Sequence, residues 1–367
     1  MDWNKWVNIN VPWDQGQFSQ PNSEALLDAI DNIIERGELA FLMNTRPAAP
    51  PSSRLGGSES VYKIGWPGGT LDFGEQIKRF EREKISVGKM ADVWLCSSND
   101  TSTKLVVKIL RVPIGVSQRT NRSDPFLLAL RTVIEERLGL QHKHIIELLG
   151  YDTSCGRYPG LVMKHCAGET LEDHIQRAPA ADQLIKARSV SQILEGLEYL
   201  HTLPSPIAHG DLTPHNILVD TNGEIKILLV SFARLSANLP SHIQTGAPAD
   251  DAISARYLSP ELLKENVRPS PSSDIWSFGC VACWMFTQVD PYSTCDAEHK
   301  VVEHILRGHL PFTVEQVSNT GTLDIPWPTN GILLLILSCW NQDNDRRPSA
   351  TSAIRYMREL MDRVGNE

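Results

Sequence analysis

Three early runs, Ile77–Ser86, Asp92–Ser97 and Lys104–Leu110, are rich in apolar and β-branched positions and read as strands. A helical run follows over Pro125–Leu140, and strand character returns around Ile145–Tyr151 and Gly160–His165. From Leu171 onward the spacing is mainly helical, broken by short strands near Ile217–Val219 and Ile225–Leu228. The apolar runs Ile275–Thr287 and Ile332–Leu337 read as core helices, since both fall short of the ~18–20 apolar residues that cross a bilayer. A β-rich first part followed by a helical second part predicts an α+β protein.

Upstream of the strands the pattern changes. Residues 1–22 are polar and aromatic with no clear period. Ser23 can cap a helix on which Leu26, Leu27, Ile30, Ile33 and Ile34 share one face. Such a helix either packs on the main domain or docks a partner. Pro, Gly and Ser dominate the next stretch, as at Pro47, Pro50, Pro51, Gly56, Gly57, Gly68 and Gly69. The expected organisation is therefore an N-terminal extension (1–45), a linker (46–75) and a folded domain (76–363).

Composition narrows the function classes. The 367 residues are 41% hydrophobic and 22% charged, ordinary for a globular chain with a sizeable core. A net charge of −9 without a long basic run argues against nucleic acid or an anionic membrane surface as partner. Seven scattered cysteines do not form a complete disulfide framework, and they suit a reducing cytoplasm or nucleus. Cys280 and Cys283 make the one C-x-x-C, inside an apolar run, and read as packed thiols. The start, Met1–Trp6, lacks the basic and apolar blocks of a secretion signal, so the chain is not expected to be secreted.

The chemistry is concentrated in a few segments. His209-Gly210-Asp211-Leu212-Thr213-Pro214-His215-Asn216 places a carboxylate and an amide five residues apart. Leu105-Val106-Val107-Lys108-Ile109-Leu110 sets a lysine inside an apolar strand, about twenty residues after Gly88 in Ile85-Ser86-Val87-Gly88-Lys89-Met90-Ala91-Asp92-Val93. Further on come Ser254-Ala255-Arg256-Tyr257-Leu258-Ser259-Pro260-Glu261, then Ser273–Gly279, then Cys339-Trp340 through Arg346-Arg347-Pro348.

In order and spacing these motifs resemble the eukaryotic protein kinase family over about Gln76–Arg363. The Cys339-Trp340 element and the Asp274–Gly279 segment look like the tyrosine-kinase-like group of Ser/Thr kinases, and His-Gly-Asp-Leu is similar to many fungal members. The resemblance implies a two-lobed fold, with a β-rich N-lobe and a helical C-lobe. It also implies that Asp211 accepts the substrate hydroxyl proton and that Asn216 binds magnesium. Gly88, Val93, Lys108, Met163, Cys166, Asn216 and Leu218 are then the residues expected around ATP, with Met163 as gatekeeper. Arg347 is expected to pair with Glu261.

The departures fall on the parts that handle phosphate and metal. Ser86 and Ala91 replace the outer glycines of the phosphate loop. Counting back from His142 puts Val133 where the lysine's Glu partner belongs, with Glu135 and Glu136 usable only in a shifted helix register. Gly210 stands in place of an Arg, and Thr213 in place of a Lys. From Ile225 to Ala249 there is no Asp or Glu, so the D-F-G triplet becomes Leu229-Val230-Ser231 without gaps, the register preferred because Ala233-Arg234-Leu235 then fit as well, or Ser231-Phe232-Ala233 after a two-residue slip. Either register lacks the carboxylate that a hard cation prefers.

Two readings follow. One is a pseudokinase, a scaffold or allosteric regulator in signalling that keeps the fold and leaves ATP binding open, with magnesium weakened. The other is a weakly active Ser/Thr protein kinase that transfers the ATP γ-phosphate to a protein hydroxyl, one magnesium being held by Asn216 and the nucleotide's phosphates. In both the partner is a protein, either substrate or signalling partner. A small-molecule phosphotransferase is disfavoured by the complete Ser259-Pro260-Glu261 segment.

Overall fold

The computed structural model describes residues 72–73, 77, 83–87, 91–98, 103–110, 125–155, 158–177, 183–231, 255–264, 267–313, 316 and 329–364. The expected N-terminal helix, almost all of the linker, Gly88 and the segment from Phe232 to Ser254 lie outside these residues. The chain divides into two compact units, Pro47–Arg177 with His209–Ser254, and Met1–Arg46 with Ala178–Ala208 and Ala255–Glu367.

In the first unit a five-stranded sheet has the order β1-β2-β3-β6-β5. Its strands are β1 (Glu83–Val87), β2 (Ala91–Ser97), β3 (Lys104–Leu110), β5 (Leu148–Asp152) and β6 (Gly160–Lys164). Alternation along each strand sorts side chains onto two faces. Cys96, Leu105, Val107 and Val162 share one face and bury themselves with Ile77, while Phe73, Trp94 and Ile109 pack around them. Full burial of each large aliphatic side chain contributes about 1.5–3 kcal/mol. The chain just before β1 joins this core, as Asp72 bridges to Tyr151 and Ile77 to Ser98.

A smaller sheet in the same unit has the order β4-β9-β8-β7, from β4 (Ile145–Ile146), β7 (Gly168–Thr170), β8 (Ile217–Asp220) and β9 (Ile225–Leu228). The single strand expected around Ile145–Tyr151 is thus two. β4 runs parallel to β9, and past Glu147 the chain enters the larger sheet as β5. Gly168 makes the β7–β8 pairing close, because a Cβ there meets the Val219 carbonyl oxygen at 2.0 Å. Helix α1 (Pro125–Arg137) buries Phe126, Leu127, Leu130, Ile134 and Arg137, a helical stripe whose last member is charged. The other α-helix among this unit's described residues is α2 (Leu171–Arg177).

The second unit is helical: α3 (Gln183–His201), α4 (Pro271–Thr287), α5 (Glu298–Leu306), α6 (Thr329–Cys339) and α7 (Ala350–Val364). α4 begins with a Ser270/Ser273 capping box and Pro271 in the first turn, and it is buried from Ser273 to Met285. Cys280 and Cys283 are buried in it, and burial pushes both thiols up, so they stay protonated core side chains.

Arg347 holds this unit together. Its guanidinium forks onto Glu261, Nη1 to Oε1 at 2.7 Å and Nη2 to Oε2 at 2.8 Å. It also donates to the carbonyls of Asn341 and Ser272 and lies 5.0 Å over the Trp276 ring. Burial pushes the Glu261 carboxyl up, but hydrogen bonding and charge from Arg347 outweigh it and hold the group below its ordinary range. Elsewhere in this unit the buried Asp274 accepts from His201 Nε2 at 2.8 Å. Among the described residues no helix is long and apolar enough to cross a membrane.

Candidate functional site

Every described residue of the candidate site belongs to the first unit. The face of the large sheet opposite its core carries Lys108. Register sets Lys108 directly across from Val93 on β2 and from Leu161 on β6, and Val106 across from Met163. Lys108, Val93 and Met163 therefore share one sheet face. Met163 is buried, Val93 half-buried, and Leu161 fully covered. The strand stiffens the lysine stem, and its Nζ donates to the Val230 carbonyl at 3.3 Å.

The β8–β9 hairpin positions the second group. Ile217 pairs with Ile227 and Val219 with Ile225, all four buried, which leaves Leu218 half-buried on the other side opposite Thr170 and Lys226. Asp220 closes the turn by accepting from the N–H groups of Asn222 and Glu224. Just before β8 runs the loop His209–Asn216. His209 Nδ1 accepts the Asp211 N–H, so the ring's proton sits on Nε2, which donates to the Leu228 carbonyl at 2.6 Å. Gly210 adopts φ 79°, a left-handed conformation that side chains resist. A Pro214–Asn216 turn then brings Asn216 back onto the loop.

Asn216 Nδ2 donates to both the backbone oxygen of Asp211 (2.8 Å) and its Oδ2 (2.9 Å). Burial pushes the Asp211 carboxyl up, against hydrogen bonds from Ser231 and Asn216 and the charge of Lys108. Burial likewise lowers Lys108, opposed by the charge of Asp211. Asp211, Lys108, Asn216, Val230 and Ser231 are thus brought together. Cys166 is half-buried just before β7, and its thiol is raised by burial and by Asp220.

Leu229 and Val230 are both buried, at 3% exposure. Magnesium demands near-octahedral oxygen donors and is usually bound through one or two carboxylates. The described side chains here offer the amide oxygen of Asn216 and a carboxylate already hydrogen-bonded by Asn216 and Ser231, with leucine at position 229. This donor set does not fit a dedicated magnesium site.

Two contacts escape a reading of the sequence. Arg137 Nε, buried at the end of α1, donates to the Leu229 carbonyl at 3.1 Å. The Ser231 hydroxyl bonds the Asp211 carboxylate. The first had a signal, since Arg137 continues the stripe of Phe126, Leu130 and Ile134. The second had none. On the same helix Val133 is half-buried, Glu135 pairs with Arg131 at 2.7 Å, and Glu136 pairs with Arg137 at 3.0 Å. Both glutamates are exposed.

Comparison with known proteins agrees with this geometry. The model of the protein kinase domain matches residues 80–357. Receptor-interacting serine/threonine-protein kinase 1 of Homo sapiens is 30% identical over 220 residues, 57% of this chain and 31% of that protein. MAP kinase kinase kinase SSK2 of Saccharomyces cerevisiae is 26% identical over 272 residues, 66% of this chain and 17% of that protein. Probable serine/threonine-protein kinase WNK6 of Oryza sativa is 30% identical over 209 residues, 56% of this chain and 45% of that protein. The chain spans less than half the length of each of these relatives. With a β-sheet lobe, a helical lobe and a family match over more than half its length, this chain belongs to the protein kinase domain family.

Proposed function

We propose that this chain is a pseudokinase of signalling, a scaffold or allosteric regulator whose kinase domain runs over about residues 76–363. It keeps the apolar Val93 and Met163 on the sheet face of Lys108 and has lost efficient phosphoryl transfer. The observation that carries this reading is Leu229, a buried apolar side chain where the family places a magnesium carboxylate. In phosphoryl transfer the protein contributes mainly positioning and charge stabilisation. Disturbing even an outer partner of a metal costs about 10–100-fold, and a missing ligand costs at least as much. The reading gives such a domain a protein as partner and sets it in the cytoplasm or nucleus, supported by its scattered cysteines and its likeness to Ser/Thr kinases.

A second reading, a weakly active Ser/Thr kinase, is favoured by one observation. Lys108, Asp211 and Asn216 still converge, and His209 still orients the loop. Radiolabel transfer from ATP to a generic protein substrate, compared between the wild type and Asp211→Asn, separates the two. The pseudokinase reading predicts equal background in both proteins. Transfer abolished by Asp211→Asn overturns it in favour of the weak kinase.

A further inference from the structure

Three consecutive residues at the metal-ligand station are each gripped by a polar side chain. Arg137 Nε donates to the Leu229 carbonyl at 3.1 Å. Lys108 Nζ donates to the Val230 carbonyl at 3.3 Å. Ser231 bonds Asp211. The first grip is unusual in kind. Arg137 is 8% exposed, on a helix whose buried stripe is otherwise apolar, and a buried guanidinium persists only where its donors are satisfied. Its Nη1 also donates to Glu136 at 3.0 Å, and Glu136 sits on the exposed side of the helix. The guanidinium therefore spans from solvent-facing carboxylate to buried backbone.

We propose that Arg137 is a positioning residue that fastens α1 to the Leu229–Ser231 segment through the Leu229 carbonyl, and thereby presents the Val230 carbonyl to Lys108 without nucleotide or metal. A contact to backbone does not depend on which side chain occupies position 229, so it survives the change that removed the carboxylate. Position 133, expected to hold the lysine's acidic partner, is a valine four residues before Arg137, one helical turn away on the same side of α1. The tie between helix and cleft has moved along the helix by that turn and changed from a carboxylate–lysine pair to a guanidinium–carbonyl bond. The segment becomes a fixed strut. This deepens the pseudokinase reading and rests on it only for the role of Lys108.

Hydrogen exchange on the full ligand-free chain tests the clasp. Arg137→Met is expected to speed exchange across Ile227–Ser231 by about tenfold, the change that loss of one hydrogen bond from a charged donor produces. Arg137→Lys should recover part of that protection. Acetylation of the Lys108 amine should also become faster in Arg137→Met, while that of the exposed Lys164 stays the same. Val162→Ala, a core truncation in β6, controls for general loosening. Unchanged exchange across Ile227–Ser231 in Arg137→Met, or equal acceleration there in Val162→Ala, overturns the proposal. No nucleotide is present, so a failed clasp and a failed nucleotide site give different results.

Discussion

Asn216 commits both hydrogens of its side-chain amide to Asp211, one to the backbone oxygen at 2.8 Å and one to Oδ2 at 2.9 Å. Both bonds use the amide nitrogen and hold the loop, while the amide oxygen is the atom that a cation would take. Its carboxylate partner is buried at 8% exposure and is also bonded by Ser231. This pairing preserves the shape of a phosphotransfer loop, and the oxygen donor that the site lacks is the carboxylate that Leu229 replaces.

Restoring the missing ligand is the simplest chemical test. Leu229→Asp is expected to raise magnesium-dependent ATP affinity by about 10–100-fold, the range by which disturbing metal-site groups lowers it. Isothermal titration with and without magnesium reads the change, after a melting curve has confirmed folding. Equal affinities in mutant and wild type contradict the assignment of position 229.

The Asp211 carboxyl has a sign that can be checked. Its folded pKa is raised above the unfolded value by burial, so the folded state holds the proton more tightly than the unfolded chain. Its contribution favours folding at low pH and is lost as pH rises from the unfolded pKa through the folded one. Asp211→Asn keeps an acceptor for Asn216 and removes the charge. It should therefore be more stable than wild type at neutral pH and equally stable well below the carboxylate range. Denaturant midpoints at the two pH values decide this.

Glu261 has the opposite sign. Held below its ordinary value by Arg347, it stabilises the helical unit above the unfolded carboxylate pKa, and that stability is lost as pH falls through the folded pKa. Arg347→Met strips the half-buried Glu261 carboxylate of its charged partner and should cost about 1.5–3 kcal/mol at neutral pH, measured by urea unfolding. A loss below 1 kcal/mol would show the pair to be dispensable.

Gly168→Ala should destabilise the small sheet by about 1–3 kcal/mol, the range for overpacking, because the added methyl meets the Val219 carbonyl. Chemical denaturation measures the loss directly.

Much of the fold is legible because its physics is local. Leu105 and Val107 alternate with Val106 and Lys108, and the structure puts the two sets on opposite faces of one sheet. Ile275–Thr287 reads as a core helix, and the helix found there is buried from Ser273 to Met285. Other elements are legible only in three dimensions. β7 has three residues, Gly168–Thr170, too few for a period, and it exists because β8 lies against it. Glu147 marks a change of sheet that no turn residue announces. In the site, the loop His209–Asn216 could be read from spacing. Its hydrogen bonds to Leu228 and Ser231 join residues that only the fold brings together. Arg137 was hidden by its chemistry, since a charge at a helix end reads as a solvated cap rather than as the last member of a buried stripe.

The most direct measurement of the central claim is the melting temperature of the full chain titrated with ATP, with and without Mg²⁺ or Mn²⁺. A ligand that binds only the folded form at about 100 times its Kd stabilises by about 2.7 kcal/mol, well within detection. With leucine at position 229 in place of a carboxylate, the expected result is a shift that is the same with and without metal, or no shift at all. A shift that appears only when Mg²⁺ or Mn²⁺ is added would show that the site still coordinates a cation and would contradict the account.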